Sequence, residues 1–248
     1  MILGIDTSLG TAVGIVDPDG AVRAERTSDN PLGHAEVIGD LLREALADAA
    51  RGPIGQTGAG EPVTLTHVAA GMGPGPFTGL RVGIAAARAF ALARALPVVA
   101  VPSHDAAALE ILLAAALTDP FADTDRFAVV TDARRREVAY SVYEGMDADG
   151  IPIRAVGPAL APRTDIDAVL ADLGAVRRDV AMISAAMLAV VATRAVAAGR
   201  ELTGPQPLYL RAPDVTLPKT PPQTPPHTQS KTPEQPSAAS ASASGAER

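Results

Sequence analysis

The chain has no cysteine and no tryptophan. The first absence excludes disulfides, thiolate metal sites and cysteine nucleophiles together. The second, with only three tyrosines and four phenylalanines in 248 residues, leaves few platforms on which nucleic-acid bases could stack. An excess of positive charge is missing as well. Lys and Arg number 21 against 28 Asp and Glu, for a formal net charge of -7 and a pI near 5.1. Proteins whose whole task is to grip a nucleic-acid backbone carry the opposite sign, although an acidic chain can serve nucleic acid through a partner.

No long apolar run is present. The longest, Val82 to Ala93, contains Arg88 and is flanked by Arg81 and Arg94, so it is too short and too charged to span a bilayer. Met1-Ile2-Leu3-Gly4-Ile5-Asp6 has no basic residue and meets a carboxylate at once, unlike a secretory signal. The expectation is a soluble cytoplasmic protein with no membrane role. The four histidines, His34, His67, His104 and His227, form no HExxH motif, and Ile38 stands four residues after His34 where a helical pair would need a second His. Each reads as a surface or loop residue rather than a ligand.

What is present suffices for an ordinary core: 47% of residues are hydrophobic and 20% charged. Strands are expected at 2–6, 11–17 and 21–27, joined by short turns that make an antiparallel meander. Apolar residues then recur at helical spacing over 34–51. A strand at 67–71, a helix at 77–96 with Thr78 as N-cap, a strand at 98–101 and a helix at 105–117 follow. This βββαβαβα order is that of a ribonuclease-H-like fold. The second half begins the same way, with strands at 127–132, 137–143 and 151–156, a helix at 165–173, a strand at 179–183 and a helix at 185–198. Asp6 and Asp132 each end a first strand before a hairpin, which points to a degenerate duplication. The expected fold class is therefore α/β, a duplicated ribonuclease-H-like fold of two subdomains, 1–118 and 119–217, each a mixed sheet with helices. From Pro218 to Arg248 no apolar side chain exceeds Ala or Pro, so 218–248 reads as a disordered Pro/Ser/Ala-rich tail.

Two segments carry candidate chemistry. Asp6-Thr7-Ser8, with Asp132 facing it, would suit a phosphate or hydrated metal, because turn N–H groups meet the anion while a carboxylate holds the metal. The plain alternative is a turn capped by Asp6. Gly71-Met72-Gly73-Pro74-Gly75-Pro76-Phe77-Thr78-Gly79 follows a strand and opens a helix. Pro76 stands where a dinucleotide loop needs glycine, and Leu80-Arg81 where a Walker loop needs Lys-Ser/Thr. A rigid structural or interaction loop fits better. Gly79, Gly83 and Ala87 recur at four-residue spacing, and both early helices are more apolar than one core face requires. A partner interface over Ile38, Leu41, Leu42, Gly79, Gly83, Ala86, Ala87 and Phe90 is expected, against a central core helix with a broad neighbour.

Met1-Ile2-Leu3-Gly4-Ile5-Asp6-Thr7-Ser8, Gly73-Pro74-Gly75-Pro76-Phe77-Thr78-Gly79-Leu80-Arg81, Asp132-Ala133-Arg134 and Pro207-Leu208-Tyr209-Leu210-Arg211 together resemble the TsaB family of tRNA threonylcarbamoyladenosine biosynthesis. The likeness runs in order from Met1 to about Pro213. It implies the duplicated actin-like ATPase fold and a non-catalytic role, with no catalytic residue and no metal of its own. It further implies TsaD as partner, TsaE joining through TsaD, a homodimer through the two early helices, and only indirect contact with tRNA. TsaD itself holds a metal with a pair of His, which His34 and Ile38 do not reproduce. Members of the wider fold carry a Gly-rich adenosine loop, where this chain has Val180-Ala181-Met182-Ile183-Ser184-Ala185-Ala186. ATP and Mg²⁺ are therefore not expected on this chain, and Asp6, Thr7, Ser8 and Asp132 would be a vestigial site. The competing expectation is an ATP-dependent phosphotransferase or ATPase of the same fold.

Overall fold

The computed structural model describes residues 1–30, 33–52, 62–119 and 125–211. Residues 1–213 form one unit and 214–248 a second. The second lies outside the described residues, as do His227 and the tail expected over 218–248.

Strands β1 (Ile2–Asp6), β2 (Thr11–Val16) and β3 (Val22–Ser28) form the meander, followed by α1 (His34–Ala49), β4 (His67–Gly71), α2 (Phe77–Ala93) and β5 (Val98–Val101). They build one sheet of order β3-β2-β1-β4-β5, in which β1 runs antiparallel to β2 and parallel to β4. Helix α3 (Ser103–Thr118) leads to β6 (Phe127–Asp132), β7 (Glu137–Met146), β8 (Pro152–Pro162), α4 (Ile166–Asp172), β9 (Val176–Asp179) and α5 (Ala185–Ala197). The second sheet has the order β8-β7-β6-β9, with β6 antiparallel to β7 and parallel to β9. Corresponding strands stand in the same order and direction in both sheets, so the fold is the expected duplication of a mixed sheet.

The helices that follow each sheet are exchanged. Helix α3 follows the first sheet in the chain but packs on β6, β7 and β8. Helix α5 follows the second sheet but lies across β1, β2, β4 and β5, and the two helices touch each other. With α1 and α2 on its other face, the first sheet is covered on both sides. This is why β1 and β2 are buried at every position and read as continuous rather than alternating apolar runs.

Gly4 and Gly14 are cross-strand partners in β1 and β2, and a Cβ on either would overlap the backbone of Ala185 or Ala186 at the start of α5. Glu25 on β3 accepts hydrogen bonds from Ser184 Oγ (2.8 Å) and the Ala186 N–H (3.0 Å). Ser184 in turn caps the helix by accepting from the Met187 N–H. A carboxylate of the first half thus holds the positive end of a helix of the second.

Three elements differ from the sequence expectation. Thr78 does not cap α2: the helix begins at Phe77 behind Pro76 and Thr78 is exposed. Strand β9 is Val176-Arg177-Arg178-Asp179, paired with Phe127–Val130, rather than 179–183. It is a sheet edge, where charged side chains are at home, so the apolar run 180–183 misdirected the reading. Strand β8 extends to Pro162.

Candidate functional site

The end of β1 is sealed. Asp6, Thr7 and Ser8 are 2%, 1% and 2% exposed. Asp6 Oδ1 accepts the Ser8 N–H (2.8 Å) and the Ser8 hydroxyl, and Oδ2 accepts the Ser103 hydroxyl. Ser103 Oγ also accepts the Gly73 N–H at 3.0 Å. Burial raises the Asp6 carboxyl above its ordinary pKa, against the opposing pull of Ser103 and Ser8. A Cβ at Gly71 would overlap Asp6 Oδ2, and one at Gly75 would lie 2.8 Å from Ser8 Cα. The Thr7 hydroxyl donates to the Gly79 carbonyl (2.7 Å), and a Cβ at Gly83 would overlap that hydroxyl. Gly71, Gly75, Gly79 and Gly83 are therefore required by the close approach of this segment to the 6–8 turn.

Ser103 begins a buried polar triplet at the start of α3. His104 Nδ1 lies 2.9 Å from Ser141 Oγ and Nε2 lies 3.0 Å from Thr131 Oγ1. Burial, then the charge of Arg154, lowers its pKa to about 3, so the ring is neutral. Asp105 accepts the Tyr143 hydroxyl at 2.7 Å and lies 3.7 Å from Arg154 Nη1. Burial raises the pKa of both the Asp105 and the Tyr143 groups. The triplet ties Asp6 of the first sheet to Thr131, Ser141 and Tyr143 of the second.

The C-terminal segment of the described chain closes over the outside of this region. The Leu208 N–H donates to the Met72 carbonyl (2.7 Å). Tyr209 packs on Phe77 with ring centroids 4.7 Å apart. Arg81 lies 3.8 Å over the Phe77 ring and donates to Tyr209 Oη at 3.1 Å. Arg211 pairs with Glu137 and donates to the Arg134 carbonyl at 3.3 Å. The strings around Thr7, Phe77, Arg134 and Tyr209, far apart in the chain, are linked by direct contacts.

A family model described as TsaD, tRNA N6-adenosine threonylcarbamoyltransferase, matches residues 27–166. A Mycobacterium tuberculosis relative, "Uncharacterized protein Rv3421c", is 39% identical over 168 residues, 67% of each chain. A Mycobacterium leprae relative, "Uncharacterized protein ML0378", is 37% identical over 171 residues, 67% of this chain and 40% of the other. Among solved structures, YeaZ from Pseudomonas aeruginosa superposes with a TM-score of 0.59 at 24% identity over 84% of this chain and 99% of that one. A protein described as similar to peptidase YEAZ from Pseudomonas aeruginosa gives 0.60 at 25% identity, over 85% and 99%. The chain is a TsaB-like member of the TsaD family.

In this TsaB-like chain the expected cofactor residues do not come together. Asp132 is exposed and pairs with Arg163, whereas Asp6 is buried among serines. No hydrogen bond or ion pair links the two among the described residues. The actin-like fold implies a nucleotide and its metal, and these residues do not fit one: both Asp6 oxygens are engaged, loop 73–79 occupies the turn, and Glu25 takes the N-terminal donors of α5.

The expected interface residues divide. Ile38, Gly79, Gly83 and Ala87 are buried, so the small-residue stripe of α2 is a correction to the sequence reading: Gly79 and Gly83 let the helix pack closely on the protein's own Thr7 turn, and Ala87 fills the surrounding core. Leu41, Leu42, Ala86 and Phe90 are half-buried at the edge of the same core. The exposed side of α2 instead presents Arg81, Ala85, Arg88, Ala89 and Leu92, the last 84% exposed. The histidines need a second correction. His34 (6% exposed) and His104 (0%) are interior residues, His34 with Nδ1 2.8 Å from Thr11 Oγ1. Sequence reasoning missed Ser103, His104 and Asp105. Their signal was three polar residues in a row between the apolar runs Val98–Val101 and Ala106–Leu109.

Proposed function

We propose that this chain is the non-catalytic scaffold subunit of the assembly that places threonylcarbamoyl on the adenosine next to the tRNA anticodon, binding and activating TsaD. Membership of the TsaD family ties the chain to threonylcarbamoyladenosine modification of tRNA. The observation that carries the finer reading is the sealed turn: at the end of β1, where the fold would hold a phosphate, Asp6 is 2% exposed and covered by Ser8, Ser103 and the glycine loop. His34 and Ile38 support it too, since one ring nitrogen of His34 is held by Thr11 and Ile38 fills core. An exposed leucine and two alanines on α2, beside half-buried Leu41, Leu42 and Phe90, supply apolar surface for TsaD or for a second copy of this chain. TsaE would join through TsaD, and the site of action would be the cytoplasm. No helix among the described residues is long and apolar enough to cross a membrane.

The test is genetic and biochemical together. Removing the gene should lower threonylcarbamoyladenosine in bulk tRNA, read by nucleoside mass spectrometry. The tagged chain should also co-elute with the TsaD homologue of the same cell. Unchanged nucleoside content with no TsaD in the eluate would overturn the reading. Steady ATP turnover by the purified chain, lost in Asp6→Ala, would establish the phosphotransferase alternative instead.

A further inference from the structure

A band of arginines crosses this acidic protein. It starts on α2 with Arg88, which donates to the Pro205 carbonyl, and Arg81, which lies against Phe77 and Tyr209. It continues through Arg211, which donates to the Arg134 carbonyl, into the β6–β7 hairpin tip Arg134-Arg135-Arg136. It ends at Arg163, whose N–H donates to the Arg136 carbonyl at 2.8 Å. Seven arginines stand in the segments 77–88, 132–137, 163 and 205–211, against two carboxylates, Asp132 and Glu137. Both carboxylates are already paired inside the band, with Arg163 and Arg211. Arg81, Arg88, Arg134 and Arg136 have no carboxylate partner among the described residues. The band is net +5 within a chain of net -7, so the rest of the chain carries -12, and the positive charge here is local and concentrated.

The hairpin tip gives an independent sign. Arg134, Arg135 and Arg136 have φ of 62°, 52° and 63°, the left-handed region that costs a non-glycine residue free energy and that glycine enters without penalty. All three side chains are exposed, so no packing requires their bulk. Backbone strain held at an exposed site by long cations points to a ligand rather than to the fold. Guanidinium forks match phosphate oxygens in pairs, and such a band laid over two elements and a C-terminal segment suits an extended polyanion.

We infer that this arginine band contacts the phosphate backbone of RNA directly, so that the chain positions tRNA as well as its protein partner. The choice of RNA over an acidic protein rests on the tRNA-modification reading above; the band itself does not.

The experiment measures binding of a tRNA transcript to the full chain by fluorescence anisotropy across a salt series, with sodium polyglutamate as competitor. Wild-type affinity should fall steeply with salt. The variant Arg134→Gln/Arg135→Gln/Arg136→Gln should bind at least ~10-fold more weakly, with a log–log salt slope shallower by about 2 to 3, as expected for loss of three phosphate contacts. Arg81→Gln/Arg88→Gln, at the far end of the band, should lower the slope by about 1 to 2 and keeps the test decisive if the hairpin variant does not fold. Arg43→Gln/Arg51→Gln, two exposed arginines on α1 and in the turn that follows it, should change neither. Unchanged affinity and slope in both band variants would overturn the inference. So would polyglutamate displacing tRNA at equal charge, which would assign the band to an acidic protein. The same variants in the deletion strain separate the two readings. If wild type fails to restore the modified nucleoside, the tRNA-modification reading falls. If wild type and both band variants restore it equally and bind tRNA alike, only the band assignment falls.

Discussion

Gly83 of α2 stands directly over the Thr7 side chain, so closely that a Cβ there would overlap the threonine hydroxyl, which is itself committed to the Gly79 carbonyl. A glycine inside a helix costs about 1 kcal/mol relative to alanine. Here that cost is offset by letting the helix settle onto the turn after β1.

Gly83→Ala should therefore destabilise despite its better helix propensity. The expected loss is about 1–3 kcal/mol, typical of overpacking a close contact, read as a lower denaturation midpoint at unchanged m-value. A gain in stability would mean that α2 does not rest on Thr7. A long cation at this position belongs in the core and should abolish folding rather than probe a partner surface.

His104 predicts an acid-side loss of stability. Its folded pKa, about 3, lies below the ordinary value of 6.5. The neutral ring therefore stabilises the fold above pH 6.5, and this contribution is lost as pH falls from 6.5 towards 3. At pH 4 the loss should be on the order of 3 kcal/mol. His104→Gln, which keeps polar atoms beside Ser141 and Thr131, should flatten the stability curve between pH 6.5 and 4. An unchanged slope in thermal melts across that range would show that the ring is not the titrating group.

Asp6 has the opposite sign. Its folded pKa is raised, so its contribution is complete below about pH 4 and is lost as pH rises through the folded value. Asp6→Asn cannot ionise and can still accept from Ser8. Its Tm relative to wild type should rise between pH 4 and 7. A difference independent of pH would rule out a desolvated carboxyl at this turn.

Arg136→Gly should raise stability by about 1 kcal/mol, since it removes a left-handed non-glycine residue while the carbonyl that receives the Arg163 N–H stays in place. The same change should weaken RNA binding. Chemical denaturation and anisotropy on one preparation read both. A loss of stability would place the Arg136 side chain in the fold instead.

The duplicated architecture was legible in the residues because β1 and β6 are both apolar runs that end in aspartate just before a hairpin, and the order of later elements repeats. The target of the α2 stripe was not. Glycine at four-residue spacing says that something approaches closely, and only the three-dimensional path of the chain shows that it is Thr7. Strand β9 was misplaced because an edge strand tolerates Arg177 and Arg178, while the apolar residues 180–183 lie beyond its end, with Ile183 buried in the core outside any strand. His104 was read as surface because its partners lie 27 and 37 residues away, beyond any local pattern. The cofactor residues were sought at strand ends, where the fold does place them. Their burial and their serine partners depend on loop 73–79 closing down, which no spacing rule reports.

The exchange of α3 and α5 has a consequence for synthesis. When the first five strands have left the ribosome, one face of their sheet is covered by α1 and α2, but its other face waits for α5, residues 185–197. Helix α3 emerges early and finds its own sheet not yet made. Neither half can complete its core until nearly all of the first 200 residues are out, so the nascent chain must hold two unfinished apolar surfaces for most of its elongation. Ribosome-bound chains stalled after residue 184 should remain open to protease across β1 and β2, and chains stalled far enough beyond Ala197 for α5 to clear the exit tunnel should abruptly become resistant. Emergence of α5 from the tunnel is then the moment at which both halves lock together.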